Sequence, residues 1–352
     1  KQAGPAGGVV KMNRKLVCIL VAAAVAAPLV ASADATLYGR IRNALVYTDY
    51  DNPEKGSQEA DVDEEWDVRD HSSRIGVKGS EELGDGLKAI YQWEGQVETA
   101  DGGSTYSENF RQRLGYVGLA GGWGTAAIGR QWTPYYGSVH KTDVWQVDGI
   151  DDWYLGEYRQ GNQITYASPD FNGFSGKVAA TTDEDKNDSN GGEEGIDWYN
   201  ASLDYENGPL TAGLSYMKYR GDDDYYQTGI GAKYVYNDMF GIIAQYEMMD
   251  DTTIDGVNLD MSSYAIQGEY YFGNNTLRVM YGNVEDDDDI DKDFGTWALG
   301  LEHSFSKRTR VYVEYQDTEH NQSSPSGWAD WHNNGQPDQE QKKFGAGIRH
   351  DF

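Results

Sequence analysis

Period-two alternation along most of the chain, seven tight turns spaced for pairs of membrane-crossing strands, and an N-terminal export signal predict an all-β fold. That fold is a 16-stranded antiparallel transmembrane β-barrel with an inward-folded third loop. The 352 residues carry 58 Asp and Glu against 29 Lys and Arg, with one Cys, 26 Tyr and 10 Trp. An aromatic content of 13% is too high for an acidic disordered chain, and so negative a surface would repel the backbone of a nucleic acid. Only Leu16 to Val30 is continuously apolar, which excludes a helical membrane protein.

That apolar run is about 15 residues long, short of the roughly 20 that a spanning helix needs. Met12-Asn13-Arg14-Lys15 precede it and Ala31-Ser32-Ala33 follow, the pattern of a secretory signal peptide over 12–33 cut before Asp34. Residues 1–11 read as an upstream extension and 34–352 as the barrel. Cys18 leaves with the signal and reads as filler of its apolar region. Removing 33 of 352 residues leaves 319, with 25 bases against 58 acids, a net charge of −33. With no cysteine left, the fold must hold by packing and backbone pairing alone.

The strands alternate from end to end. Over Leu37 to Leu45 the odd positions are mostly apolar, while Arg40 and Arg42 share the other face. Leu87, Ala89, Tyr91 and Trp93 oppose Lys88, Gln92 and Glu94; Phe344, Ala346, Ile348 and Phe352 oppose Gly345, Gly347, Arg349 and Asp351. One apolar, aromatic face and one charged or small face fit a wall between lipid and a wet lumen, built of strands of about 9 to 11 residues. Tight turns lie at Gly84-Asp85-Gly86, Gly121 to Gly124, Ser168 to Gly173, Glu206 to Pro209, Asn237-Asp238, Gly273 to Asn275 and Ser306 to Arg308. Seven turns join 14 strands, and the first and last strands close the ring as the fifteenth and sixteenth. The longest interval between turns holds the third external loop, roughly residues 132–160. Acid collects in the other outer loops: ten acids over 49–70, seven over 183–197 and seven over 285–293. A solvated, self-repelling surface explains them, and divalent-cation binding that bridges lipopolysaccharide phosphates is the alternative; no segment has the ligand spacing of a calcium hand.

Several segments are recognisable together. They are Thr36 to Arg40; Ser73 to Gly79 with Glu81 to Ala89; Arg113 to Leu119 with Gly124 and Gly129-Arg130-Gln131; Arg159, Asn162, Ile164, Tyr166 and Ser168-Pro169 with Gly173-Phe174; Ser306 to Thr309 with Tyr312 and Tyr315; and Gly347 to Phe352. In order and across 36–352, they resemble the trimeric 16-stranded general diffusion porins of Gram-negative outer membranes. The resemblance implies a homotrimer in outer-membrane lipid and lipopolysaccharide, with the terminal Phe352 as the signal read by the barrel-assembly machinery. The chain departs from that pattern in its acidic loops, and its third loop lacks the Pro-Glu-Phe-Gly motif of the enteric branch.

A water-filled channel for passive diffusion takes its selectivity from charges facing each other across a constriction. Eight of the 13 arginines beyond the signal fall before Gln160, and Arg40, Arg42, Arg74, Arg111 and Arg113 take inward parity, where lipid exposure would cost about 2 to 4 kcal/mol each. Arg130 shares a face with Ile128 and reaches the lumen only if the chain bulges there. Facing this wall, the third loop offers Asp143, Asp148, Asp151, Asp152 and Glu157. Six arginines against five acids are near balance, so the acidic mouth is expected to tip the channel toward weak cation selectivity. A solute-specific channel stays open beside the general one. So does an outer-membrane β-barrel enzyme of protease or phospholipase type, for which His71, beside Ser72 and Ser73, and His140 are the candidate bases. Neither histidine stands in a recognisable catalytic signature. No cofactor, structural-metal spacing or phosphate loop is found.

Overall fold

A computed structural model describes residues 34–51, 64–102, 109–147, 149–150, 153–182, 195–220, 225–254, 257–286, 294–320 and 340–352. The strands are β1 (Asp34–Asp51), β2 (Glu64–Asp70), β3 (Arg74–Gly84), β4 (Leu87–Val97), β5 (Phe110–Gly121), β6 (Gly124–Trp132), β7 (Arg159–Ala167), β8 (Phe174–Thr182) and β9 (Ile196–Asn207). They continue as β10 (Leu210–Tyr219), β11 (Tyr225–Tyr236), β12 (Phe240–Ile254), β13 (Val257–Phe272), β14 (Asn275–Asp286), β15 (Phe294–Ser304), β16 (Thr309–His320) and β17 (Glu340–Asp351). Among the described residues one short helix, α1 (Pro134–Val139), interrupts them.

These 17 segments make 16 barrel strands, because β2 and β3 both pair with β1, one beyond the other, and are two halves of one strand. Neighbours in sequence pair antiparallel all the way round, and β1 meets β17 to close the ring. All seven short turns fall where the sequence places them. Asn237 and Asp238 both take left-handed backbone (φ 49° and 54°) at the centre of a tight turn closed by the Met239 N–H donating to the Tyr236 carbonyl (3.0 Å). The sequence counts Glu64–Asp70 as loop; it pairs instead with Asn43 to Asp49, and the chain breaks only at His71 to Ser73.

The alternation decides the two faces. Leu37, Ile41 and Leu45 are exposed on the outside, whereas Ala44 and Val46 are buried inside. Outward rings gather in rows: Tyr205, Tyr234, Phe240, Tyr270 and Phe272 near the short turns, and Tyr216, Tyr246, Tyr264, Tyr281 and Trp297 toward the other end. Two aromatic belts on an apolar wall suit a barrel whose rings rest at the two membrane–water boundaries. At the seam the Phe352 N–H donates to the Gly39 carbonyl (3.0 Å) and the Gly39 N–H to the Phe352 carbonyl (3.1 Å). The Phe352 ring occupies the space where a Cβ on Gly39 would stand.

The core lies inside the barrel, made by loop 3 (residues 133–158) against the wall. Trp145, Val147, Ile150, Trp153 and Leu155 are buried among Met249, Met261, Met280, Val284, Ala298 and Tyr312. Glycines on the inner face make room for the loop. A Cβ on Gly231 would strike the Val139 carbonyl, on Gly282 the Trp153 ring, on Gly300 the Trp145 ring and on Gly345 the Val147 side chain. The loop therefore lies directly against the wall's backbone along β11 to β17, and its position is coded as much by these glycines as by its own residues.

Two outcomes are expected. Gly231→Ala pushes loop 3 off its seat at a cost of about 1–3 kcal/mol, so unfolding temperature falls and single-channel conductance rises, whereas Gly268→Ala, which meets only Val279 at 3.5 Å, changes neither. Gly39→Val displaces the Phe352 ring, so a smaller fraction of protein reaches the heat-modifiable form on a denaturing gel.

Candidate functional site

Where loop 3 leaves the wall, Thr133 caps α1 by accepting the Tyr136 N–H (3.0 Å) and donates to the Glu157 carbonyl (2.6 Å), while Pro134 supplies the pre-set first helical residue. Across the lumen the loop is held by acceptors on the wall. The Glu314 carboxylate accepts the backbone N–H groups of Gln146 (3.0 Å) and Val147 (2.8 Å), and Glu247 accepts that of Leu155 (3.3 Å). Gln267 accepts from the Trp145 indole (2.9 Å), and Gln316 donates to the Gly149 carbonyl (2.7 Å). A loop drawn into a barrel carries backbone donors that strands cannot satisfy, and these side chains satisfy them. Burial holds the Tyr135 and Tyr154 phenols of the loop well above their ordinary range, so both remain neutral. Burial also lowers Lys141, opposed by Asp204 at 4.0 Å.

The loop's seats on β11 to β17 leave the arginines of β1, β3 and β5 on the remaining wall, where they form two triads. In one, Arg40 Nε and Arg349 Nε bind the two oxygens of Asp351 at 2.8 and 3.0 Å, across the closing seam. In the other, Glu94 Oε1 accepts from Arg113 Nε at 2.7 Å with Arg74 Nη1 at 3.8 Å, and Glu94 Oε2 accepts the Tyr38 hydroxyl at 3.0 Å. Gln92 and Tyr116 continue that chain (2.6 and 2.8 Å). The Arg113 and Arg159 guanidiniums lie 5.6 and 4.5 Å from the Trp132 ring, which stacks on Tyr136 at 4.4 Å. Each triad sets two guanidiniums against one carboxylate, so each presents a net positive charge to the lumen.

The structure thus brings Arg40, Arg74 and Arg113 together and separates the others. Arg42 is only 7% exposed: its guanidinium donates to the carbonyls of His71 and of Trp145 (3.3 Å), bridging the break between β2 and β3 to loop 3. Arg111 is exposed near the outer end of β5, opposite Gln96, which in turn opposes Arg74; it keeps the inward parity but is not one of the side chains that meet Glu94 or Asp351. Arg130 pairs with Gly115 on the ladder that also sets Val117 against Ile128, so the irregular pairing beside it does not move it off the face of Ile128. On the loop, Asp143 is exposed and accepts the Tyr136 hydroxyl, and Glu157 is exposed at the loop's root. Asp148, Asp151 and Asp152 lie outside the described residues.

Glu94, Asp351 and Arg349 were legible only as inward-facing polar positions; nothing in the sequence pairs Tyr38 with a residue 56 positions on, or Arg40 with one 311 on. A second ionic row toward the short turns went unread altogether. Lys233, Glu269, Arg278, Glu302 and Arg310 alternate in sign across five strands at 2.7 to 3.5 Å. Of the two candidate bases, His71 is buried beside the bridge made by Arg42, and the Ser73 hydroxyl accepts the Arg42 N–H (2.9 Å). His140 is buried against Tyr154 (4.3 Å), with Nδ1 3.3 Å from Gln245.

Known proteins carry the same plan. Residues 20–323 match the family described as Gram-negative porin. The major outer membrane protein P.IB of Neisseria meningitidis serogroup A is 30% identical, over 97% of this chain and all of its own. Among solved structures, the anion-selective porin from Comamonas acidovorans superposes with a TM-score of 0.72 at 22% identity, over 91% of this chain and all of that one. Salmonella typhi OmpF, in complex with daunomycin, gives 0.67 at 18%, over 90% and 97%. A closed antiparallel barrel with two aromatic belts, a loop clamped inside it and charged triads on the facing wall completes the correspondence: the chain belongs to the Gram-negative porin family and is an outer-membrane channel for passive diffusion.

Proposed function

We propose that the narrow zone between the two arginine triads and loop 3 sorts small hydrophilic solutes by size and polarity, with a weak preference for cations. The observation that carries this reading is the half-neutralised wall. Asp351 and Glu94 each cancel one of two arginines in place, and exposed Asp143 and Glu157 on loop 3 offset much of the remainder. The mouth, in a chain of formal charge −29, then tips the balance. The contrary sign, anion preference, is favoured by the arginine surplus within each triad.

The same reading makes the assembly a homotrimer, with 12–33 as its signal peptide and Phe352, already paired into the seam, as the residue recognised by the barrel-assembly machinery. It assigns the protein no catalytic role, since the surroundings of His71 and His140 are those of packed wall and loop residues. Divalent cations at the acidic outer loops would tie those loops to lipopolysaccharide phosphates without entering transport.

Reversal potentials under a KCl gradient test the sign. Screening shortens from about 10 Å at 0.1 M to about 3 Å at 1 M, so the cation preference should be present at low salt and fade at high salt. An anion preference that grows with salt would show the triads to dominate. Glu94→Gln keeps the shape and one acceptor oxygen for Arg113 and removes the charge, so it should shift the reversal potential toward chloride. Unchanged potentials in that variant would place the second triad outside the ion path.

A further inference from the structure

Three arginines stand on one rung of the inner wall. Ser304 on β15 opposes Arg310 on β16, Arg310 opposes Arg349 on β17, and Arg349 opposes Arg42 on β1. Residues directly opposed on a ladder share a face. That face is the lumen's, because Arg349 Nη1 meets the Gln146 side chain of loop 3 at 3.4 Å, while Val313 and Ile348, of the other parity, are exposed on the outside. Along β16 the inward positions descend from Glu314, which clamps the loop, through Tyr312, buried beneath it, to Arg310, the second residue of the strand. The rung therefore opens below loop 3, into the vestibule at the short-turn end.

Like charges directly opposite one another are destabilising, and the neighbouring carboxylates flank this rung instead of dividing it. Glu302 lies to one side, shared between Arg278 (3.5 Å) and Arg310 (3.3 Å). Asp351 lies to the other, shared between Arg349 (3.0 Å) and Arg40 (2.8 Å). Arg42 gives hydrogen bonds to the carbonyls of His71 and Trp145, and Glu314 is taken up by backbone N–H groups of the loop. The acids are also the more deeply placed: the side chain of Glu302 is 5% exposed against 23% for Arg310. The wall thus turns its cations toward the vestibule.

Arg310 meets Glu302 through Nη1 alone, and its Nε is buried with no hydrogen-bond partner among the described residues. Nε and Nη2 make up the side edge of the guanidinium, the edge that takes a bidentate partner. Arg349 stands one strand away, about 5 Å between backbones, and Ser304 brings a hydroxyl to the same rung. A cation beside a second cation, with its best edge unused, is costly unless an anion joins it. Two guanidinium forks this close converge on one centre, which suits a single tetrahedral oxyanion; two separated carboxylates need cations farther apart, and chloride gains nothing from a fork.

We propose that the rung at Arg310 and Arg349 binds one phosphate group, as the free ion or as the monoester of a small solute in passage. The site lies below the narrow zone and is read by binding, so it stands or falls separately from the sign of ion selectivity.

The test titrates the full assembled protein in detergent by calorimetry, at constant ionic strength and near pH 7.5, where phosphate is mostly dianionic. The probes are inorganic phosphate, glycerol phosphate, succinate and chloride. Phosphate should bind saturably at about one per chain, and succinate and chloride should not. Arg310→Gln should weaken phosphate binding about tenfold or more; Arg310→Lys, which keeps the charge and loses the fork, should recover part of it. Glu302→Gln removes the competing charge and should tighten binding about threefold, a gain that misfolding does not produce. Lys88→Gln, at the turn between β3 and β4, should change nothing. If inorganic phosphate binds and glycerol phosphate does not, the phosphate chemistry holds and its source is the free ion; if both bind, monoesters reach the site as well. Binding of neither, equal binding of succinate, or phosphate affinity unaltered in both Arg310→Gln and Glu302→Gln overturns the proposal. So does loss of binding in Arg74→Ser with Arg310→Gln unaffected, which would place the anion among the arginines of the constriction.

Discussion

A backbone that crosses hydrocarbon must find every hydrogen-bond partner within the protein, because the surrounding lipid offers none. In this chain the constraint is met by closure: the last strand pairs with the first over twelve residues, and no edge remains. Everything else follows from that ring. Once the wall is closed, side chains alternate between lipid and lumen, which is why arginines that could not face lipid become the inner wall's charge. It also explains why the seam carries both a terminal aromatic ring on a glycine and the Arg40–Asp351–Arg349 triad, one on each face.

Loop 3 meets the same constraint inside the lumen. Its strand-free backbone lies against a wall whose own hydrogen bonds are already used between strands, so side chains must supply the acceptors. Glu314 and Glu247 do so for three backbone N–H groups, while Gln227, Gln267 and Gln316 serve the loop's carbonyls and indole. These clamps work because the glycines let the loop approach to contact distance. Acid placed on the inner wall is thus divided between two tasks. Glu314 and Glu247 fix the shape of the constriction, whereas Glu94 and Asp351 set its charge.

Arginine is divided in the same way. Arg42 is spent on holding the loop to the broken strand, Arg40, Arg74 and Arg113 line the remaining wall in ion pairs, and Arg130 stands on the outer face. Geometry rather than residue type assigns these roles. Two strand irregularities, at Glu94–Gly95 and Gly129–Gln131, move neighbouring side chains out of simple alternation just where the wall is most charged.

The sequence by itself determined the barrel. Turn chemistry and period-two alternation are local, so seven turns, two faces and the inward course of the long loop could be read residue by residue. It also placed Arg40 and Arg74 on the inner wall, because their parity follows from neighbours two positions away, whereas Arg113, two before the outward Gly115, reaches Glu94 through the irregular pairing that sets Leu114 opposite Glu94. The tertiary structure alone decided which charges meet. Glu94 reaches Tyr38, and Asp351 reaches Arg40, only after the register between distant strands is set. Arg42 left the pore for the same reason: a strand break is a property of paired strands, and alternation along one strand carries no trace of its partner's register, whereas Arg130 stays on the outer face that it shares with Ile128.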